Sequence, residues 1–282
     1  MDSTRKGKWS IQRFGMLLLF AALAIFALFP LATLAVASFK PAQELIRFGL
    51  NLRLDRELLT FDNYVHIFSP ETFYLKWYAN SIIIALVFTV LCLLLSSMVG
   101  YALAVYRFKL RNLIFLLVLV IMAVPLEIIM LPLYQLSIDM KLINNMWGVI
   151  LPFVVAPLPI FFFRQYASGL PKDFLDAARV DGCTEYGIFF RIMMPLMAPA
   201  FSSMAILQAL FSWNNFLWPL IVLNNTAKLT IPIGLSTLLT PYGNNYQVLI
   251  AGSVFAIIPV LIVFVFFQRY FIEGMTAGGV KG

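Results

Sequence analysis

The residues able to do chemistry in this chain are few and unevenly placed. Asp176, Arg179, Asp181, Glu185 and Arg191 crowd into the stretch DAARVDGCTEYGIFFRIMMP (176–195). Arg107, Lys109 and Arg111 crowd into RFKLRN (107–112). Neither stretch pairs a nucleophile with a base. The single His66 falls in a polar loop and reads as a surface residue. Cys92 sits in an apolar run and Cys183 in the polar stretch, so neither a disulfide framework nor a Cys/His metal cluster is expected. No G-x-x-x-x-G-K-[ST] occurs, so the chain has no phosphate-binding loop of its own. The closing Gly278-Gly279-Val280-Lys281-Gly282 lacks that spacing and any following helix. These residues predict a protein that is not an enzyme and holds neither metal nor cofactor. What remains suits binding and docking. Glu127, Gln208, Trp213, Asn214 and Asn215 offer a carboxylate, amides and an indole face, the groups that take polyhydroxylated ligands. Each amide serves equally well as a hydrogen bond between helices.

The elements that must position these groups are lipid-solvated. The chain has 282 residues, 62% of them apolar and 12% charged, with mean hydropathy +0.91. Soluble domains carry about 25% charged residues. Six apolar runs, at roughly 14–38, 79–106, 113–137, 147–167, 199–223 and 248–271, are each long enough to cross about 30 Å of hydrocarbon as helices. Arg5, Lys6, Lys8 and Arg13 precede the first run, and Ala35-Val36-Ala37 resembles a signal-peptidase site. The run is far longer than a signal peptide's apolar core of about 7–15 residues, so it reads as an uncleaved anchor.

Basic residues set direction. The tail 1–13, the 107–112 loop, the 168–198 segment with Arg164 at its edge, and the C-terminal end hold thirteen of the twenty Lys and Arg. Both termini are therefore expected in the cytoplasm, with the 39–78 and 224–247 loops outside. The net charge of +7 then reflects topology and calls for no nucleic-acid partner. Glu127 costs the third span about 2.5–3.5 kcal/mol. Sixteen Leu, Ile, Phe and Val residues between Leu113 and Leu136 outweigh it. Glu127 should face protein or water. Pro30, Pro125, Pro132, Pro157, Pro159, Pro219 and Pro259 lie within the runs and are expected to kink them.

The 168–198 segment reads as two short helices hinged at Gly182. Pro171 suits a first turn, Asp173 and Asp176 suit the positive end of the helix dipole, and Gly182 suits a left-handed stop. Thr184 suits the cap of a second helix, which Pro195 should limit. The first helix is expected to expose Ala177 and Ala178, flanked by Phe174 and Leu175. Such a ridge fits a docking groove or a lipid surface equally well. In the 224–247 loop the apolar centre Leu229 to Leu239 is too short to cross a membrane.

The spacing Asp176-Ala177-Ala178, three residues, Gly182, nine residues, Ile192, one residue, Met194-Pro195 resembles the EAA loop of ABC importer permeases. That pattern is Glu-Ala-Ala, x3, Gly, x9, Ile, x, Leu, Pro, and this chain departs from it at Asp176 and Met194. SSMVGYALAVYRF (96–108), FSWNNFLWPLIV (211–222) and FFQRYFIEGMTAGGVKG (266–282) are similar to the maltose-type sugar importers, the last to their MalG-like subunit. The resemblance covers most of 79–282 and implies an all-α, six-span permease of the type I ABC importer fold in a bacterial or archaeal plasma (inner) membrane. It implies a tail (1–13), a first span (14–38), an external loop (39–78), a permease core (79–271) and a cytoplasmic tail (272–282).

The implied partners are a second homologous permease, a dimer of cytoplasmic ATPases that use the ATP and Mg, and an external sugar-binding protein. The substrate is a sugar. Asp176, Ala177, Ala178, Gly182, Ile192 and Pro195 would couple the spans to an ATPase. The 224–247 loop would reach the binding protein, and the tail would enter between the ATPases. Rival readings are a channel, since Met98-Val99-Gly100-Tyr101-Ala102 weakly resembles a potassium filter, and a secondary carrier, which calls for paired midplane charges and an internal repeat.

Overall fold

Two of the breaks in the apolar runs fall at prolines. In the computed structural model, which describes residues 3–49, 51, 53, 58–171, 173–240 and 243–277, three helices are long and apolar enough to cross a membrane unbroken, over Gln12–Ala37, Tyr74–Val105 and Tyr246–Phe266. Three more crossings are helix pairs bent by 105°, 43° and 78°. Counting each pair as one span gives up to six, so the expected six-span architecture stands. The third run, 113–137, is not one helix: it breaks between Met122 and Leu126. A proline ring disfavours helical geometry in the residue before it, so the first half stops short of Pro125, which caps the second half in an extended conformation. Ala156 is extended before Pro157 for the same reason, and Pro157 opens the next helix where its missing N–H costs nothing. Pro30, Pro132 and Pro259 stay inside their helices. The fifth run, 199–223, also differs from expectation. Its helix ends at Asn214, and a separate short helix follows from Leu217.

The chain divides into two compact units, Met1–Tyr74 with Thr237–Ala256, and Leu75–Ser236 with Ile257–Gly282. In the first, α1 (Ser3–Ala37), α2 (Ala42–Phe48) and α3 (Asp62–Ile67) precede the start of α4 (Tyr74–Val105). Ala37, Leu45 and Ile250 form a small core with Leu34 and Tyr246. Buried Asn63 donates to the carbonyls of Ser38 and Lys40 at 2.8 and 2.7 Å, and Ser38 and Tyr64 share a hydroxyl bond of 2.6 Å.

In the second unit, α4 runs to Val105 and is followed by α5 (Arg111–Met122), α6 (Leu126–Asp139), α7 (Met146–Ile150), a 3₁₀ turn and α8 (Pro157–Ser168). Then come α9 (Asp173–Val180), α10 (Glu185–Ile188), a π-helical turn over Phe189–Met193, α11 (Met194–Leu196), α12 (Ala198–Asn214) and α13 (Leu217–Val222). A short 3₁₀ turn leads to α14 (Ile231–Ser236). The hairpin β1 (Leu239–Thr240) and β2 (Gly243–Asn244) belongs to the first unit, as does α15 (Tyr246–Ala277) up to Ala256, with the rest of α15 in the second. α15 carries the helix six residues past the expected end of the sixth run at 271; the end of the expected tail, Gly278 to Gly282, lies outside the described residues.

Gly100 explains how α4 meets α8. A Cβ there would lie 2.8 Å from the Ile160 carbonyl and 2.9 Å from the Arg164 nitrogen, so only glycine lets the backbones approach this closely. The Met98 to Ala102 stretch is thus helical packing, with no re-entrant loop of the kind a filter needs.

Candidate functional site

The 176–195 insert is built around one tight turn. α9 ends in the Schellman pattern: the Cys183 N–H bonds the Ala178 carbonyl at 3.0 Å and the Gly182 N–H bonds that of Arg179 at 3.1 Å. This requires a left-handed residue, and Gly182 has φ +75°. Thr184 then caps α10 by accepting from the Gly187 N–H at 3.1 Å. Pro195 limits the second helix to within one residue, since the chain bends by 78° after Leu196. The chain stays helical from Glu185 to Leu196, with the π turn placed just before the proline. A π turn widens the backbone spacing, which accommodates a ring that would clash with a tight α turn.

Leu175 and Ala178 lie three apart on α9, on one face, and both are 4% exposed. They pack in a core with Tyr101, Phe163, Ile188, Phe189 and Met193. The expectation that Ala178 and Leu175 are presented outward is therefore corrected: helical periodicity turns that face inward. The outward face carries Ala177, with Phe174 (49% exposed) and Val180 (87%), and Tyr186 (72%) follows on α10. Ile192 is half-buried and Pro195 is exposed.

Three side chains to which the sequence assigned no role, Arg179, Glu185 and Tyr106, hold the insert in place. Arg179 Nε donates to Glu185 Oε1 at 2.9 Å, and Tyr106 donates its hydroxyl to Glu185 Oε2 at 2.6 Å. Arg179 Nη1 also reaches Asp176 Oδ1 at 3.3 Å. One carboxylate therefore joins α9, α10 and the residue just past the end of α4. The Arg179 hydrogen bond, then that of Tyr106, holds the Glu185 carboxyl below the usual carboxylate range. Burial, and then the bond to Glu185, raises the Tyr106 hydroxyl. Glu185 follows a helix cap and Tyr106 follows a span end, but no spacing rule links positions so far apart in sequence.

Among the described residues, no cavity gathers the five candidate pathway residues. Gln208 is buried, with its Oε1 3.9 Å from the Cys92 sulfur. Trp213 is buried edge-on to Tyr78 at 5.7 Å, and it lines an apolar groove of about 450 Å³ with Tyr78, Thr89, Ala209 and Pro259. Asn214 is exposed and bonds the Leu210 carbonyl of its own helix at 2.9 Å. Asn215 is half-buried in the extended break after α12, and Glu127 is exposed in the first turn of α6. Among the described residues no group of acids, cysteines or histidines is arranged to hold a metal ion.

A helical membrane protein with broken spans and a capped polar insert between two of them belongs to the class of polytopic permeases. Residues 93–276 match the family model described as "Binding-protein-dependent transport system inner membrane component", and the chain belongs to that family. It is 59% identical over 275 residues, 98% of both chains, to the arabinooligosaccharides transport system permease protein AraQ of Bacillus subtilis. To the protein of the same name from Halalkalibacterium halodurans it is 61% identical, over 93% of this chain and 94% of that one. The lactose transport system permease protein LacG of Rhizobium radiobacter is 34% identical over the full length of both. A chain in the crystal structure of a bacterial ABC transporter that imports the acidic polysaccharide alginate shares the fold, with TM-score 0.78 at 24% identity, over 93% of this chain and 98% of that one. The protein is thus an inner-membrane permease component of a binding-protein-dependent ABC transport system, not a channel or a secondary carrier. Such a component is not itself catalytic, and its family implies an ATPase and a binding protein as partners.

Proposed function

We propose that this permease imports arabinose oligosaccharides and forms half of a translocation path with a second, homologous permease. The observation that carries the substrate class is the identity of 59% and 61%, over nearly whole chains, to two arabinooligosaccharide permeases. The insert supplies the coupling. α9 and α10 present Phe174, Ala177, Val180 and Tyr186 as an outward apolar ridge on a frame fixed by Gly182, which suits a groove on a cytoplasmic ATPase. Asp176, Ala177, Ala178, Gly182, Ile192 and Pro195 are the coupling set, in which Ala178 packs the helix and Ala177 meets the partner. ATP and Mg are used by the ATPase, and this chain binds neither. Both termini lie in the cytoplasm, the 224–247 loop faces the binding protein, and the tail from Glu273 reaches the ATPases.

Trp213 is the pathway candidate best placed to offer a ring face to a sugar, since it lines the groove while Gln208 is buried away from it. The test is uptake of labelled arabinotriose and maltotriose by vesicles holding the reconstituted complex, with and without internal ATP and with the proton gradient collapsed. ATP-dependent uptake of arabinotriose in preference to maltotriose is expected. Uptake driven by the gradient alone, or preference for the glucose oligomer, would overturn the reading.

A further inference from the structure

We infer that Glu185 is a positioning residue whose carboxylate, shared between Arg179 and Tyr106, ties the docking helix α9 to the cytoplasmic end of α4 and delivers movement of the insert to that span. The inference rests on the proposed coupling role of the insert and adds the route by which its movement leaves it.

Three elements meet at this one group. α9 contributes Arg179, whose Nε lies 2.9 Å from Oε1 and whose Nη2 lies 3.4 Å from Oε2. α10 contributes Glu185 itself in its first turn. The segment after α4 contributes Tyr106, whose hydroxyl lies 2.6 Å from Oε2. Tyr106 is in turn fixed to α4, because its N–H bonds the Ala102 carbonyl at 3.1 Å and its ring meets that of Tyr101 edge-on at 5.8 Å. A push on α9 therefore reaches α4 through two charge-assisted bonds in series.

The insert has a second attachment, the apolar core around Leu175, Ala178, Ile188 and Phe189. The two attachments differ in kind. Apolar packing is non-directional and tolerates small rotations of α9. The carboxylate bonds weaken steeply with angle, so they fix orientation. Beside them lies a cavity of about 320 Å³ lined by Met98, Tyr101, Ala102, Tyr106, Glu185, Tyr186 and Phe189, which leaves room for this corner to move. Loss of the clip should thus spare assembly and impair transmission.

The experiment is a comparison of Tyr106→Phe, Glu185→Gln, Glu185→Ala and Tyr106→Phe with Glu185→Ala, in vesicles holding the full complex with its binding protein. Assembly, sugar uptake and ATP hydrolysis are read together. Tyr106→Phe removes one oxygen atom and should leave assembly intact. The ATP used per sugar imported should rise about 3- to 10-fold in Tyr106→Phe and Glu185→Ala, the worth of a charge-assisted bond discounted for exposure. Glu185→Gln keeps one acceptor oxygen and turns the other into an NH2 donor, so it should recover only part of the loss. The double variant should match Glu185→Ala, since both changes break the same link. A wild-type ratio of ATP to sugar in Tyr106→Phe and Glu185→Ala would overturn the inference. So would loss of assembly in Tyr106→Phe, which would make the bond a folding contact, or additive effects in the double variant. Failure of the unaltered complex to import in the same vesicles counts instead against the proposed function.

Discussion

Two connectors of the second unit both bury apolar side chains but differ in how their polar groups are held. The 224–236 segment turns its apolar residues inward: Leu229, Ile231 and Ile233 are 6%, 1% and 1% exposed. Side chains from the start of α4 pin its backbone. Trp77 donates to the Thr226 carbonyl at 2.7 Å, Asn80 to those of Ala227 and Leu229 at 3.0 Å each, and Ser81 Oγ accepts from the Ile231 N–H at 2.8 Å. Gly234 lies so close to Trp77 that a Cβ there would collide with the indole ring. The 173–196 insert instead leaves Phe174, Val180 and Tyr186 outward and is pinned by an exposed carboxylate. Buried bonds to backbone are costly to break, whereas exposed ion pairs contribute little and re-form readily. The first arrangement suits a fixed loop, and the second suits the coupling part proposed above.

The largest expected difference between the two connectors is the side of the membrane they face. In a Cys92→Ala background, an impermeant maleimide should label Asn224→Cys in intact spheroplasts, and native Cys183 only after permeabilisation. The reverse pattern would invert the topology. Next is stability. Trp77→Ala should cost about 3–5 kcal/mol, because it empties a packed site and strips the Thr226 carbonyl of its partner. The midpoint of thermal aggregation in detergent should fall by several degrees, and an unchanged midpoint would show that the 224–236 segment is not fixed by burial.

In the insert, Gly182→Leu should cost roughly 1–2 kcal/mol from the left-handed conformation alone. The spans should still insert, while uptake and sugar-stimulated ATP hydrolysis fail together. Normal values of both would remove the turn from coupling. The smallest effect is on pH. Because the folded Glu185 carboxyl sits below its ordinary value, its contribution is present at neutral pH and lost as pH falls through that lowered value. Cleavage of the insert by an acid-active protease should therefore rise as pH falls below the usual carboxylate range, and Glu185→Gln should flatten this rise. An identical pH profile in both proteins would show that the carboxylate bonds do not hold the insert.

Much of this contrast was legible along the chain. Hydropathy marks all six crossings, since lipid demands about twenty apolar residues in a row whatever they pack against. The insert's turn is equally local. Gly182 and Thr184 act through backbone conformation and neighbouring N–H groups, so their types and spacing suffice to place them. The span breaks were only half legible: Pro125 and Pro157 end one helix and begin another, while Pro132 and Pro259 stay inside theirs. The difference depends on whether neighbours satisfy the freed carbonyls.

Adjacent residues alone mark a helical chain with six apolar runs and a capped polar insert, because hydropathy, charge bias and capping are local properties, and the permease class follows from the resemblance of its motifs. Only the tertiary structure decided which face of α9 is buried, why Gly100 is required, and that Gln208 and Trp213, five residues apart, have separate surroundings. It also decided the link from Glu185 to Tyr106, 79 residues away. Such contacts arise from how helices pack, which is fixed by the fit of whole surfaces, and no local spacing encodes that fit.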